Sequence, residues 1–135
     1  MPPGTFIPEL AYDDVLAAAT WLCQAFGFRE RLRIGTHRVQ LCFGDGSMVV
    51  IERPPGGNTA EQLHATMVRV DDVDAHHEHA RRNGAQIVRP PASYPYGERQ
   101  YSAEDPGGHR WTFSQSVADV DPADWGGTLI DRTDT

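Results

Sequence analysis

This sequence lacks the features that define membrane, secreted and nucleic-acid-binding proteins. No stretch approaches the roughly 20 apolar residues of a membrane-spanning helix, and the first residues contain no basic region followed by an apolar run. Only two cysteines are present, Cys23 and Cys42, and two cysteines predict free buried thiols rather than a disulfide framework. The formal charge of −7 disfavours binding to phosphate backbones. We therefore expect a cytoplasmic chain without a membrane segment or a nucleic-acid partner.

The sequence also lacks the short motifs of common catalytic sites. It contains no nucleophile elbow, phosphate-binding loop or dinucleotide fingerprint. The glycines of Gly44-Asp45-Gly46 and Gly107-Gly108 are explained as turn residues between strands. Covalent catalysis and nucleotide chemistry thus have no support in the sequence.

The first half of the chain predicts a β-α-β-β-β unit. Strand-like alternation from Phe6 to Tyr12 leads to Asp14, an acidic helix cap, and apolar residues then recur at helical spacing from Val15 to Phe26. Three predicted strands follow at 28–34, 37–43 and 47–52. The chain of 135 residues, 39% of them hydrophobic, is the size of one domain, which we assign to residues 1–135.

The second half repeats this order 58 positions later. Asp72 repeats Asp14, and a strand at 64–70, a helix at 73–83 and strands at 86–89, 98–103 and 109–114 are predicted, with a loop at 90–97. Module one spans about 6–52, a linker 53–62, module two about 63–115 and a tail 116–135. Two copies are too few for a solenoid, so we expect an α+β fold of two βαβββ modules related by a pseudo-two-fold axis, with a cleft between their sheets.

Four segments resemble the vicinal-oxygen-chelate superfamily, which contains glyoxalases, bleomycin-resistance proteins and dioxygenases. They read ELAYDDVLAAATWLCQAFGF, GSMVVIER, HATMVRVDDVDAHHEHARRNGAQIVRP and YGERQYSAEDPGGHRWTFSQ. The last is similar to the single-domain bleomycin-resistance-like branch. The resemblance implies mixed sheets around a ligand cleft, with the helices on the convex faces.

Alternation along the strands separates a polar face from an apolar face. Trp111 and Phe113 are predicted to pack under a helix, whereas Arg110 and Thr112 point to the opposite side. In module one, Arg38, Gln40 and Cys42 are likewise opposed to Val39, Leu41 and Phe43. We expect the polar sides to line the cleft.

The resemblance also implies where a metal would be bound. Metal-dependent family members carry His or Glu ligands on the first, fourth, fifth and eighth strands, and those places fall here on Ile7, Glu52, Ala65 and Thr112. Catalytic sites generally need three protein ligands. Glu52 supplies one, and His64 is the nearest second candidate. We expect no cofactor, and a divalent metal held weakly by Glu52 and His64 is the alternative.

The histidines of the second helix do not have the spacing of a zinc motif. The segment His76-His77-Glu78-His79 lacks the pattern His-Glu-x-x-His, and consecutive helical residues point in different directions. We interpret it as an amphipathic helix with His77 near its packing face.

The leading functional hypothesis is a metal-free protein that sequesters an aromatic or antibiotic-like small molecule in its cleft. The alternative is a metal-dependent or acid/base lyase, isomerase or dioxygenase that uses Glu52 or Glu9, and a third reading is a regulatory protein with a vestigial pocket. We expect a homodimer in which apolar cleft residues such as Ile7, Val50 and Met67 are covered. The predicted ligand contacts are Glu52, Arg38, Gln40, Met67, Tyr96, Arg99, Tyr101, Arg110 and Thr112.

Overall fold

The computed structural model describes residues 7–53, 65–126 and 128. Module one contains β1 (Glu9–Tyr12), α1 (Val15–Phe26), β2 (Arg29–Ile34), β3 (Arg38–Phe43) and β4 (Gly46–Glu52). Module two contains β5 (Ala65–Arg69), α2 (Val73–Arg82), β6 (Gln86–Ser93), β7 (Glu98–Glu104) and β8 (Arg110–Ser116). A short 3₁₀ helix, Pro122–Trp125, follows. The predicted linker lies almost wholly outside the described residues.

Each module forms one mixed four-stranded sheet. The strand order is β1-β4-β3-β2 in sheet one and β5-β8-β7-β6 in sheet two. In both sheets the first strand runs parallel to the last one, and the remaining neighbours are antiparallel. The prediction of an α+β fold built from two similar βαβββ modules is confirmed.

Both helices begin where the acidic residues Asp14 and Asp72 predicted. The carboxylates of Asp14 and Asp72 accept backbone N–H bonds from Ala17 and Ala75, each at 3.1 Å. Such caps satisfy donors that have no partner inside the helix. Helix α1 ends at Gly27, whose φ of 84° requires the left-handed conformation that glycine adopts without strain. These local signals explain why the helix boundaries were predictable.

The extent of β6 was predicted wrongly. We expected a loop from Pro90, but the strand continues through Pro90 and Pro91 to Ser93. The strand lies at the edge of sheet two, and its pairing with β7 shifts register between Arg89 and Ala92. Proline removes a backbone donor, which an irregular edge strand tolerates.

One hydrophobic core joins the two modules. The ring of Phe26, at the end of α1, lies 4.8 Å from that of Phe113 and 5.6 Å from that of Trp111, both on β8. All three side chains are buried, as is Tyr101, which stacks on Phe113. Trp111 and Phe113 therefore pack on the helix-bearing side, as predicted.

Histidines of α2 contact the end of α1. His76 Nε2 lies 2.8 Å from the carbonyl oxygen of Phe26, and His79 Nε2 lies 2.8 Å from that of Gln24. A carbonyl only accepts, so His76 Nε2 carries the proton and its Nδ1 accepts from the Tyr101 hydroxyl at 2.6 Å. His77 lies near the packing face, as predicted, with its ring edge-on to that of Tyr101 at a centroid distance of 5.1 Å. His76 is buried further and bridges the modules, because its two ring nitrogens find partners inside the core.

The neutral His76 predicts a stability that falls in mild acid. Burial lowers the pKa of His76, so the unfolded chain, with a histidine pKa of about 6.5, binds the proton more readily than the folded one. The stability is therefore complete above pH about 6.5 and is progressively lost below it. Urea unfolding at pH 7.5 and 5.0 should show this loss in the native chain.

The His76→Gln variant should show a flatter dependence over the same interval, because a glutamine amide can donate to the Phe26 carbonyl without titrating. His37→Gln is the matched control, since His37 is exposed. The carboxylates whose pKa is lowered by hydrogen bonds, including Glu78 and Glu98, lose their contribution only at lower pH. Equal slopes for both variants would contradict the assignment.

Part of the tail docks against the loop before β7. The backbone N–H groups of Val117 and Ala118 both donate to the carbonyl of Gly97, and Trp125 contacts Tyr96 edge-on with ring centroids 5.6 Å apart. Trp125 keeps 44% of its surface exposed, so this docking is partial. None of the helices described here is long and apolar enough to cross a membrane.

Candidate ligand-binding site

Each sheet has one face that carries no helix, which we call its open face. On sheet one it presents Arg38, Gln40 and Cys42, because Val39 and Leu41 between them are buried in the core beneath α1. On sheet two it presents Arg110 and Thr112, together with their register partners on the neighbouring strands, such as Met67 and Ser102. The predicted division of faces is correct for both sheets.

The open face of sheet two is floored by polar side chains that bond to one another. Gln100 Nε2 donates to Ser114 Oγ at 3.0 Å, and Ser114 Oγ donates to Glu98 Oε1 at 2.6 Å. A second pair, Ser102 and Thr112, joins its hydroxyl oxygens at 2.9 Å. Because buried polar groups are costly unless bonded, this network fixes the floor in one arrangement.

The network is extended by two further side chains. The Tyr96 hydroxyl donates to Gln100 Oε1 at 3.2 Å, and the Tyr96 ring stacks on Tyr94 with centroids 5.4 Å apart. Arg89 Nη2 donates to Ser102 Oγ at 3.3 Å. The bond to Gln100 places Tyr96 at the end of this open face, where a flat ring can contact a ligand.

The open face of sheet one combines a polar floor with exposed apolar side chains. Arg31 Nη1 donates to Gln40 Oε1 at 2.5 Å, and Arg38 Nη2 donates to Glu9 Oε2 at 3.0 Å. Leu32 and Ile34 on β2 pair with Gln40 and Arg38 on β3 and so share their face of the sheet. Each of the two keeps 43% of its surface exposed. This mixture of cations and apolar groups is typical of a binding surface.

Arginine is concentrated on the two open faces. All 12 basic residues of the chain are arginines, and the pairing registers place Arg29, Arg38, Arg69, Arg89 and Arg110 on these faces. Arg31, at the irregularity of β2, joins them through its bond to Gln40. The same faces carry three carboxylates, Glu9, Glu98 and Glu104. The open faces therefore carry a local excess of positive charge on a chain whose net charge is −7.

Three of the predicted ligand contacts lie on the wrong side of their sheets. Tyr101 is 1% exposed and donates to His76 within the core, and burial raises its pKa. Arg99 binds Asp74 of α2 with its guanidinium. Glu52 pairs in register with Tyr12, a core residue, and so belongs to the helix-bearing face. The prediction that Glu52 shares a cleft with Arg110 and Thr112 was wrong.

The register also corrects the metal positions that the family resemblance implied. Met67 pairs with Thr112 in sheet two, and the equivalent pair in sheet one is Glu9 with Val49, so Val49 and not Glu52 is the fourth-strand place. The four places then carry Ile7, Val49, Ala65 and Thr112, and none of these is a His, Asp or Glu ligand. The family's metal ion does not fit this donor set.

Of the alternative metal pair, Glu52 and His64, the histidine lies outside the described residues. Its proposed partner Glu52 lies on the helix-bearing face, whereas Ala65, adjacent to His64, pairs with Arg110 on the open face. Within the described part of the chain, no three His, Cys, Asp or Glu side chains lie close enough together to hold a metal ion.

A cavity of about 920 Å³ lies between the modules, with most of its wall on the helix-bearing side. Of the ligand contacts predicted from the sequence, Met67 alone is among its lining residues. Sequence reasoning missed this cavity because its walls come from residues that read as core, including Phe28, Phe43 and Trp111. The open-face residues Gln100 and Ser102 were also missed, although their alternation with Tyr101 was a usable signal.

Comparison with known proteins supports the class that this fold defines. The family model described as Glyoxalase/Bleomycin resistance protein/Dioxygenase superfamily matches residues 7–113. The chain therefore belongs to that superfamily. No curated protein matches it.

Several solved structures are similar to this chain. The structure of TioX from Micromonospora sp. ML1 is 34% identical, with a TM-score of 0.70, and the match covers 87% of this chain and 100% of TioX. A family enzyme from Burkholderia phytofirmans PsJN is 18% identical, with a TM-score of 0.73 and coverage of 82% and 97%. A lactoylglutathione lyase from Agrobacterium tumefaciens is 16% identical, with a TM-score of 0.66 and coverage of 84% and 94%. The last two likenesses concern the fold alone.

Proposed function

We propose that this protein binds a small aromatic molecule on its open faces and sequesters it without a metal or a covalent step. The observation that carries the proposal is the organisation of sheet two, whose polar floor is internally bonded by Gln100, Ser114 and Glu98. A rigid, satisfied polar floor flanked by the Tyr96 ring orients a ligand and has no free nucleophile. The absence of ligand-type residues at the family's metal places supports the same proposal.

The charge of the open faces specifies the ligand further. Six arginines and three carboxylates lie there, so the proposed ligand carries a carboxylate, phenolate or several acceptor oxygens. Arginine presents a planar fork of donors that suits such groups. The net charge of −7 on the whole chain would favour a cationic ligand. The arginines that contact the ligand outweigh it, because salt screens distant charges more than near ones.

We further propose that a second copy of the chain covers the open faces. Leu32 and Ile34 on sheet one are 43% exposed, and Met67 on sheet two is 63% exposed. A two-fold dimer would bury them and enclose the ligand. Val50, which the sequence offered as a cleft residue, takes no part, since it is fully buried beneath α1.

The acid/base alternative is weaker in this geometry. Its candidate Glu9 is on the open face but is exposed and bonded to Arg38, and its candidate Glu52 is on the other face. A proton-transfer catalyst needs its carboxylate held near the reacting atom in a water-poor site.

Sedimentation and a thermal-shift screen of aromatic acids test the proposal together. The native chain should sediment as a dimer of twice 14.9 kDa, and at least one aromatic acid should raise the melting temperature at saturation. Leu32→Glu should produce a monomer and weaken that acid at least tenfold, because a carboxylate on the open face opposes both contacts.

Val117→Glu is the matched control, because Val117 is similarly exposed, at 47%, but lies in the tail beyond β8. It should leave both the dimer and the binding intact. A native monomer that binds no aromatic acid would refute the proposal, as would Leu32→Glu behaving like the control.

A further inference from the structure

The cavity between the modules has aromatic walls that come from both halves of the chain. The Phe28 ring lies 5.4 Å from the Phe43 ring and 5.4 Å from the Trp111 ring, measured between centroids. All three residues line the cavity, together with Met48 and Val68 from the helix-bearing faces of the two sheets. Its aromatic walls belong to the helix-bearing side, and it also reaches the edge of the open faces, because Ser47, Met67 and Arg69, which the registers place there, line it as well.

The pseudo-two-fold symmetry explains why a cavity exists there. Glu9 in β1 and Met67 in β5 hold equivalent registers, so Val70 is the counterpart of Tyr12. The Tyr12 ring lies against the turn before β8, where it packs on His109 with centroids 4.8 Å apart and donates to Asp105. The smaller Val70 lines the cavity together with Gly44 and Asp45, which form the equivalent turn before β4.

Tyr12 thus shows what the equivalent space accommodates. A phenol ring fits between one module's first strand and the other module's last turn, and it is 2% exposed there. At Val70 the side chain lacks that ring, and the surrounding volume of about 920 Å³ is of the size that small-molecule sites occupy.

The rim of the cavity is acidic. Asp45, Asp71 and Asp72 line it, and none of them forms an ion pair with any residue in the described ranges. Arg69 is the lining cation, and it donates to Ser116 on the open side. The Asp72 carboxylate caps α2 through the Ala75 N–H, which leaves Asp45 and Asp71 as the rim carboxylates without a side-chain partner in the described ranges. Aromatic walls and these two carboxylates together complement a ring that carries a protonated amine.

We propose that this cavity is a second binding site, for an aromatic amine whose ring takes the place that Tyr12 fills in the other half. The amine lies at the Asp45, Asp71 and Asp72 rim, and the ring lies against Phe28 and Phe43. The site touches the open face of sheet two only at Met67 and Arg69, and the charge of its proposed ligand is opposite to that of the ligand proposed for the open faces.

Tyramine is the probe that tests this site, because it is a phenol ring joined to a protonated amine. Calorimetric titration should give a dissociation constant on the order of 0.1–1 mM, as expected for a small fragment. In NMR spectra of the native chain, tyramine should shift the backbone amide signals of Thr66, Val68 and Ala75. The anionic analogue 3-(4-hydroxyphenyl)propanoate, at the same concentration, should shift them at least tenfold less.

The Val70→Tyr variant should weaken tyramine at least tenfold, since it restores the missing ring from within the chain. Its melting temperature should equal or exceed that of the native protein, because the ring fills existing space. Leu32→Glu should bind tyramine as the native chain does, which separates this site from the open faces.

Tyramine binding that survives in Val70→Tyr, or that Leu32→Glu abolishes, would overturn the proposal. If Val70→Tyr fails to fold, the amide signals of the native chain decide instead. Perturbation by tyramine confined to Gln100, Ser102 and Ser114 would refute the site, and perturbation at Thr66, Val68 and Ala75 would support it.

Discussion

Replacing Asp105 by alanine is expected to lower the free energy of unfolding by about 3–5 kcal/mol, the range for removing one partner of a buried charged network. The Asp105 carboxylate is buried, and its Oδ2 accepts from the Tyr12 hydroxyl at 2.5 Å and from Trp111 Nε1 at 2.9 Å. Its Oδ1 accepts from the backbone N–H groups of Gly107 and His109. Alanine would leave these four donors without an acceptor.

The hydrogen bond from Tyr12 to Asp105 also joins the two modules, since Tyr12 ends β1 of module one and Asp105 precedes β8 of module two. Burial, with the neighbouring Asp105 carboxylate, raises the pKa of Tyr12 above its usual range, so the hydroxyl keeps its proton and donates at neutral pH. Nearby, His109 Nε2 contacts the Ala11 carbonyl at 2.7 Å, and Arg53 donates to the Gly107 carbonyl at 3.2 Å. Loss of Asp105 therefore loosens the turn and the module contact together.

Urea denaturation monitored by circular dichroism measures the Asp105 effect. Tyr12→Phe removes a single donor and should cost only about 1 kcal/mol. Asp119→Ala is the control, because Asp119 is an exposed aspartate with no side-chain bond to a described residue, and its effect should stay within about 0.5 kcal/mol. A loss below about 1 kcal/mol for Asp105→Ala would show that the network contributes little.

Replacing Phe26 by alanine is expected to cost about 3–5 kcal/mol, the range for truncating a fully buried aromatic side chain. Phe26 is 0% exposed and contacts Trp21 from its own helix and Phe113 and Trp111 from the other module. The cavity left behind would lie where α1 meets sheet two. Its backbone carbonyl, which accepts from His76, would remain.

The same urea titration tests Phe26→Ala, with Trp125→Ala as the control. Trp125 is 44% exposed, and its removal should change the stability by about 0.5 kcal/mol or less. Because Phe26 belongs to the core of both modules, the variant should still unfold in one transition seen equally by tryptophan fluorescence and circular dichroism. Two separated transitions would show that the modules unfold independently.

Local patterns made most of the fold predictable. Asp14 and Asp72 fix where the helices begin, and the period-two alternation around Trp111 and Phe113 assigns the faces of β8. The repeated order of elements then gives the two modules. The prolines of β6 misled the prediction, because their tolerance depends on the strand being at an edge, which is a property of the sheet.

The candidate site was predicted less well. Arg38, Gln40, Arg110 and Thr112 do lie on the open faces, whereas Glu52, Arg99 and Tyr101 do not. A shift of one residue in register exchanges the two faces of a strand, and no local signal at Glu52 marks its partner. The roles of the open-face residues in ligand binding remain predictions.

The sequence by itself determined the elements, the module repeat, the buried faces of the central strands and the low number of metal-ligand candidates, because these follow from contacts within a few residues along the chain. Tertiary structure alone decided that Val49 replaces Glu52 at the fourth-strand place, that His76 bridges the helices and that Val70 faces a cavity where Tyr12 fills its counterpart. Each of these depends on residues about 25 to 95 positions apart, and their juxtaposition is set by how strands pair and modules pack.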